Sequence, residues 1–352
     1  MKKLIIILVS IVLFFAVIVI GGLIYYSNSL KGPGNNEKIE FIVDNNATFS
    51  TLGKTLEENN LIKSELTYKI YIKLSKPDNL KAGTYQLDGT MGVKKIVEIL
   101  EEGNSYNPNI ITVTFKEGLN IRNIATIISE NTDNTYDSVL NQIKDENYLN
   151  ELINNYWFIN DEIKNKELYY SLEGYLFPDT YQIDKTWEVK KILKTMLDRM
   201  EKELNNYKDS IQNSKYSPHQ ILTLASIIEK EGKTKDFKKI SSVFHNRLNK
   251  NKRLESCATT FYGMGLDFNE VGIANNEMTS NNNPYNTYKI STLPIGPISA
   301  PGKEAIEAAI NPNESNNYYF LSDNEGTSYF FEEYWEHQQK QRELINQGKW
   351  YR

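Results

Sequence analysis

One cysteine, Cys257, and three histidines, His219, His245 and His337, occur in 352 residues. That scarcity excludes a disulfide framework and any Cys/His zinc cluster of ordinary spacing. An excess of basic charge is also missing: 40 Lys and Arg stand against 45 Asp and Glu, a net charge of −5. Nucleic acid is therefore not an expected partner, because such binders usually carry a basic stripe. Gly53-Lys54-Thr55 and Gly232-Lys233-Thr234 look like phosphate-loop tails, but the leading glycine is absent, with Thr48 and Ile227 in its place. No repeat of solenoid period is found. What is present is enough chain for two or three compact units. Aromatic residues reach 12%, which excludes a disordered chain.

The one long hydrophobic run is Leu4 to Tyr26, without a charge. As a helix it would be roughly 34 Å long, enough to cross a bilayer. A cleaved secretory signal is the alternative, but it would have a shorter apolar stretch and a small-x-small site. Gly21-Gly22 is followed here by Leu23, Ile24 and a tyrosine pair, which suits an interfacial anchor. Lys2 and Lys3 precede the span, so residues 1–3 are expected in the cytoplasm and the rest outside the cell membrane. The lone cysteine fits an extracytoplasmic domain that does not rely on disulfides.

The expected fold class is α+β: a single transmembrane helix at 4–26, a small α+β domain, then a larger α+β catalytic domain. Residues 27–37 read as a polar, Gly/Pro-bearing tether. Residues 38–105 read as β-α-α-β-α. Glu40 to Asp44 alternates like a strand, and Phe49, Leu52 and Leu56 have helical spacing. Residues 106–170 read as a strand, Ile110 to Lys116, with a helical connector. From 171 to 352 the chain mixes aromatics with turn formers, and amphipathic helices are expected near 188–205 and 218–231. The segment Asn281 to Pro312 holds five of the ten prolines and cannot be regular helix or central strand throughout. Its interleaved Tyr285, Tyr288, Ile290, Leu293 and Ile298 favour a sculpted loop wall.

The sharpest local signal is the helix opened by Ser217-Pro218-His219-Gln220, a capping box with Pro in the first turn. Ile221, Leu224, Ala225 and Ile228 form an apolar stripe, and Gly232 stands at the C-terminal stop. Glu229 and Glu231 lie in the last turn, the unfavourable end of the macrodipole for negative charge. Glu229 borders the apolar face; Glu231 is expected about 200° further round and wetter. Desolvation and the helix end both favour the neutral acid at Glu229. A protonated carboxyl near neutral pH is what general-acid cleavage of a glycosidic bond requires. Taken alone, the helix reads more simply as a solvated E-K-E end. The polar and aromatic clusters around it suit sugar rings: Glu173, Tyr175, Phe177, Asp179 and Tyr181 before it, and Tyr285, Asn286, Thr287 and Tyr288 after it.

Several long motifs then stand in one order. They are LKAGTYQL (80–87), EGYLFPDTY (173–181), LASIIEKEG (224–232), VFHNRL (243–248), PYNTY (284–288), LPIGPISAPGKEAIEAA (293–309) and Glu336-His337. In these the chain resembles the MltG-type, YceG-like, endolytic murein transglycosylases over nearly its whole length. The resemblance implies that 38–105 is a LysM-like domain and 171–352 the catalytic domain. It implies that Glu229 is the catalytic acid/base, with Glu231 as second choice. Glu173, Tyr175, Asp179, Asn246, Arg247, Tyr285, Asn286 and Thr287 are the expected groove residues. The implied partners are glycan strands of peptidoglycan and peptidoglycan synthases, and no metal or cofactor is expected. Departures occur at Cys257-Ala258, where the family often has Asp-Pro, at Ser328, where it often has His, and at Glu333, where Thr is usual. Nothing flanks Cys257 that would make it a nucleophile.

The expected reaction is cleavage of the MurNAc–GlcNAc bond to leave a 1,6-anhydroMurNAc end. A hydrolytic muramidase is the rival; it needs a second carboxylate about 5–9.5 Å from the first, from Glu173, Asp179 or Glu231. A membrane-tethered, non-catalytic peptidoglycan-binding scaffold is the rival of a different class.

Overall fold

The computed structural model describes residues 2–103, 106–266 and 275–350, and it mixes helix with small sheets. The chain divides into two compact units, Met1–Pro108 and Asn109–Arg352.

The first unit opens with α1, Lys2–Ser29, whose stretch Val9–Ser29 is long and apolar enough to cross a membrane. The side chains of Lys2 and Lys3, on which the expected orientation rests, lie outside the described residues. The order that follows is β1 (Ile39–Val43), α2 (Phe49–Glu58), α3 (Glu65–Ser75), β2 (Gly83–Leu87) and α4 (Gly92–Glu102). The two strands pair antiparallel, Ile39 opposite Leu87 and Val43 opposite Gly83. Alternation turns Phe41, Val43, Tyr85 and Leu87 onto one face, where Leu56, Tyr68, Ile96 and Leu100 cover them. The buried Tyr68 hydroxyl donates to Phe49 O at 2.8 Å, so its burial leaves no orphan polar group.

The segment expected as a tether is bonded into this unit. The Val93 N–H donates to Leu30 O at 2.9 Å, and the Gly34 N–H donates to Gly89 O at 2.8 Å. A Cβ at Gly32 would overlap the Gly89 carbonyl, so glycine alone permits that approach. Gly and Asn enrichment marks a loop, but it does not distinguish a free loop from one whose backbone is paired.

The second unit contains, in order, β3 (Ile110–Thr114), α5 (Ile121–Asn131), α6 (Tyr136–Lys144), α7 (Glu146–Asn155), β4 (Thr180–Asp184), α8 (Val189–Leu204), α9 (Lys208–Gln212), α10 (Pro218–Glu231), α11 (Phe237–Asn249), α12 (Cys257–Gly263), α13 (Asn276–Ser280), α14 (Lys303–Ile310), β5 (Tyr319–Ser322), β6 (Ser328–Phe331) and α15 (Tyr334–Asn346). Residues 109–170, expected as part of a connector, belong to this unit. The cause is non-local: β3 pairs antiparallel with β4, Ile110 opposite Asp184 and Thr114 opposite Thr180.

Helix α10 is the axis of the core. A single apolar stripe was expected, yet His219 and every residue from Ile221 to Ile228 are buried. A helix buried all round needs its polar groups satisfied. The Thr223 hydroxyl donates to His219 O at 2.7 Å and the Ser226 hydroxyl to Thr223 O at 2.7 Å. The capping box at Ser217 and Gln220 forms as read from the sequence. Gly232 ends α10 in an extended conformation rather than a left-handed cap. The proline-rich segment is irregular over 281–302, with Tyr285 and Ile298 buried, and then contains α14, a regular helix that was not expected there. Pro301 stands before the N-cap, Gly302, and Pro312 after the C-cap, Asn311, so neither interrupts the helix.

Candidate active site

Three segments converge where α10 ends. The first is the last turn of α10. The second is the loop 115–120 that follows β3. The third is the loop 298–302 that leads into α14. Backbone bonds lock the two loops together: the Gly118 N–H donates to Ala300 O at 2.8 Å and the Ala300 N–H to Leu119 O at 2.7 Å. The third segment is fastened to α10 as well, since the Ile298 N–H donates to Ser226 Oγ at 3.0 Å and the Ser299 hydroxyl to Ser226 O at 3.2 Å.

Glu229 projects from α10 into this junction. The Gly302 N–H donates to its Oε2 at 2.9 Å. Burial pushes the Glu229 carboxyl up to about 7. The Gly302 N–H opposes the rise, Glu117 and Glu304 add to it, and Lys230 opposes it. Dehydration is thus the leading cause. The expectation that the helix end itself contributes is modified by the fold, because Glu229 also faces the N-cap amide of α14, which favours the anion. Lys230 donates to Gly118 O at 3.3 Å.

Next to this junction lies a cleft of about 240 Å³, lined by Glu117, Gly118, Asn120, Lys230, Phe261 and Tyr262 among others, though not by Glu229 itself. Its lining mixes aromatic side chains with amide and charged groups, a combination suited to a sugar ring. Glu117 is the site residue that the sequence reasoning missed. It stands two residues beyond the buried Phe115, and the pairing of β3 with β4 together with the bonds of Gly118 and Leu119 to Ala300 brings it here. A Cβ at Gly302 would overlap Glu117 Oε1, so that glycine lets the carboxylate sit against the backbone. Burial and Glu304 raise the Glu117 carboxyl above its ordinary value.

Glu231 departs from expectation. It is not the wetter residue: Ser256 donates its hydroxyl to Glu231 Oε1, and the Ala258 N–H also bonds it. Burial pushes its carboxyl above the ordinary value, while these two bonds and Arg247 oppose the rise. The cover comes from the residues around the start of α12, 25 positions further along, which helical spacing cannot foresee.

The other expected groove residues are placed as follows. Glu173 is 1% exposed and accepts from the Ile121 N–H at 3.1 and 3.2 Å and from the Tyr262 hydroxyl at 2.9 Å. Burial also raises its carboxyl to about 7, against those bonds. Tyr175 is fully buried, with its hydroxyl 2.8 Å from His219 Nδ1. His219 Nε2 lies 2.9 Å from Ile295 O, a pure acceptor, so Nε2 carries the proton and Nδ1 accepts from Tyr175. Asp179 binds Arg199 Nε at 2.8 Å. Asn246 donates to Ser315 O at 2.7 Å and Asn317 O at 3.0 Å, and lines a second cleft of about 660 Å³ with His245 and Asn249. The Arg247 guanidinium donates to Tyr318 O, Arg253 O and Leu254 O and pairs with Glu255 at 2.9 Å.

Tyr285, Asn286 and Thr287 are buried. Tyr285 packs on Tyr169 and Tyr262, whose ring centroids lie 4.9 and 4.8 Å away. Asn286 donates to Thr279 O and Asn281 O at 3.0 and 2.6 Å. Thr287 Oγ1 accepts from the Ser256 N–H at 3.0 Å. These three therefore support the segments that cover Glu231. Cys257 opens α12 with Sγ 3.3 Å from the Tyr288 hydroxyl, and Ala258 lines the cleft near Glu229. Among the described residues no cluster of His, Cys, Asp and Glu is arranged to hold a metal ion.

Comparison with known proteins decides the kinship. A family model described as the YceG-like family matches residues 41–343. The chain belongs to the YceG-like family. It is 33% identical over 333 residues to a protein of Bacillus subtilis strain 168 named endolytic murein transglycosylase, covering 93% of this chain and 91% of that one. A Streptococcus pneumoniae serotype 2 protein of the same name is 32% identical over 309 residues; the match spans 84% of this chain and 56% of the pneumococcal one. The crystal structure of a YceG-like protein of Listeria monocytogenes superposes with a TM-score of 0.62 at 32% identity, covering 86% of this chain and 99% of that one.

Proposed function

We propose that this member of the family is a membrane-anchored endolytic murein transglycosylase that cleaves the MurNAc–GlcNAc bond of glycan strands. Kinship supports the enzyme class: the named relatives align with most of this chain. The observation that carries the chemistry is Glu229, a carboxyl that burial pushes up to about 7, whose neighbours Lys230 and Glu117 line a cleft.

Glu229 starts as the acid. It gives its proton to the oxygen between MurNAc C1 and GlcNAc C4 as the C1–O bond breaks, and the MurNAc ring takes on oxocarbenium character. The carboxylate left behind accepts the proton of the MurNAc C6 hydroxyl, and O6 bonds to C1. The products are a 1,6-anhydroMurNAc end and a free GlcNAc 4-hydroxyl, and no water is consumed. One carboxyl serves both steps because its affinity for the proton lies between the two demands. The Gly302 N–H steadies the anionic interval.

Anchoring rests on α1, the LysM-like reading on the β-α-α-β-α order of the first unit, and the extracytoplasmic placement on Lys2 and Lys3. Work beside peptidoglycan synthases is what the family resemblance implies, and we propose it on that ground alone. One feature favours the hydrolytic rival: Glu117 supplies a second carboxylate near Glu229. Product analysis by mass spectrometry separates the three readings. Anhydro ends from uncrosslinked strands, lost in Glu229→Gln, support lytic transfer. Reducing ends support hydrolysis, and binding without cleavage by the parent supports a scaffold.

A further inference from the structure

Glu117 and Glu229 approach one backbone unit from opposite sides. Gly302 gives its N–H to Glu229 Oε2 at 2.9 Å, and the space where its Cβ would stand is filled by Glu117 Oε1. With ordinary backbone dimensions this brings the two carboxylates within about 7.5 Å of each other. Backbone bonds fix the loops that carry Glu117 and Gly302 relative to each other. Gly118 N–H to Ala300 O and Ala300 N–H to Leu119 O tie the Glu117 loop to the Gly302 loop.

We propose that Glu117 is a positioning residue for the reaction: its carboxylate, set across Gly302, keeps Glu229 in the proton-bearing form while a glycan strand occupies the cleft. This rests on the reading of Glu229 as the acid. The charged groups facing Glu229 are few. Glu117 comes from the loop after β3, Glu304 from the first turn of α14, and Lys230 from α10 itself. Glu117 and Glu304 are both exposed, so solvent screens both while the cleft is empty. Lys230 is directed onto Gly118 O. Of the two carboxylates that act on Glu229, only Glu117 lines the cleft, where it stands with Lys230. A strand lying in the cleft displaces water from around the exposed Glu117 carboxylate, and like charges repel more strongly in drier surroundings. The proton on Glu229 is therefore held most firmly when substrate is bound, which is when it is needed.

The test is the pH dependence of cleavage by the full-length protein in detergent on uncrosslinked glycan strands. In Glu117→Gln the alkaline limb is expected to move to lower pH, by about half a unit in kcat/KM and by more in kcat. Glu117→Asp keeps the charge and holds the limb in place. A purely structural role would lower activity equally at every pH, and an unmoved limb in Glu117→Gln overturns the proposal. If that variant does not fold, carbon-13 titration of glutamate carboxyls in the parent decides. A two-step Glu229 curve, assigned by its loss in Glu229→Gln, supports the coupling. A single-step curve overturns it. Retained cleavage by Glu229→Gln is a separate result, because it removes the acid assignment itself.

Discussion

Glu229→Gln is expected to abolish cleavage and to stabilise the second unit at alkaline pH. The folded protein raises this carboxyl from 4.5 to about 7. The folded state therefore binds the proton more tightly than the unfolded chain, and stability falls as pH rises from about 4.5 through 7. Each tenfold gain in proton affinity corresponds to about 1.4 kcal/mol, so the ionised group costs the fold up to about 3 kcal/mol at pH 8. Glutamine carries no such penalty. It keeps an acceptor for the Gly302 N–H, and the help that this bond gives the anion is already contained in the value of about 7. A net gain of about 3 kcal/mol at pH 8, fading towards pH 5, is the expected result. All four tryptophans, at 157, 187, 335 and 350, lie in the second unit, so their fluorescence follows that unit alone. The urea midpoint of the variant should exceed that of the parent by about 1 M at pH 8. A midpoint difference that does not change between pH 5 and pH 8 would refute the reasoning.

In the parent, kcat/KM should fall about tenfold per unit once pH exceeds roughly 7, as the acid ionises; a plateau reaching pH 9 would contradict an acid with that affinity. Glu173→Ala strips the acceptor from the Ile121 N–H and the Tyr262 hydroxyl, and should cost about 2–4 kcal/mol in urea unfolding without changing the product ends. Gly302→Ala drives Glu117 off the backbone; unfolding midpoints should stay close to those of the parent while activity drops several-fold at pH 8 and less at pH 6. Tyr175→Phe breaks the link to His219 and should destabilise by about 1 kcal/mol, read from the same fluorescence transition.

Helix α10 was legible because its signals are local. The capping box, the first-turn proline and the apolar spacing all lie within 16 residues. The first unit was legible for the same reason: period-two and helical spacing alternate there in short, well-bounded runs. What escaped was whatever arrives from far along the chain. Glu231 was expected in water because its lid, Ser256 and Ala258, is not part of its helix. Glu117 was passed over because nothing near it in sequence signals chemistry; β4, some 65 positions on, and the loop at Ala300, further still, determine where it lies. Tyr285, Asn286 and Thr287 carry side chains suited to sugars, but composition alone does not tell a groove surface from the packing behind it. The prolines around α14 broke no helix because they bracket it.

The bonds from Leu30 and Gly34 into the first unit leave no slack after α1. A free leash would let that unit wander over the bilayer surface independently of its anchor. With α1 spanning the bilayer as proposed, a lean or twist of that helix is passed straight to the folded part of the first unit. Transmembrane helices adjust their lean to the thickness of the surrounding lipid. The pose of the first unit should therefore report lipid thickness, and lengthening the 30–34 stretch with a few glycines should uncouple the two.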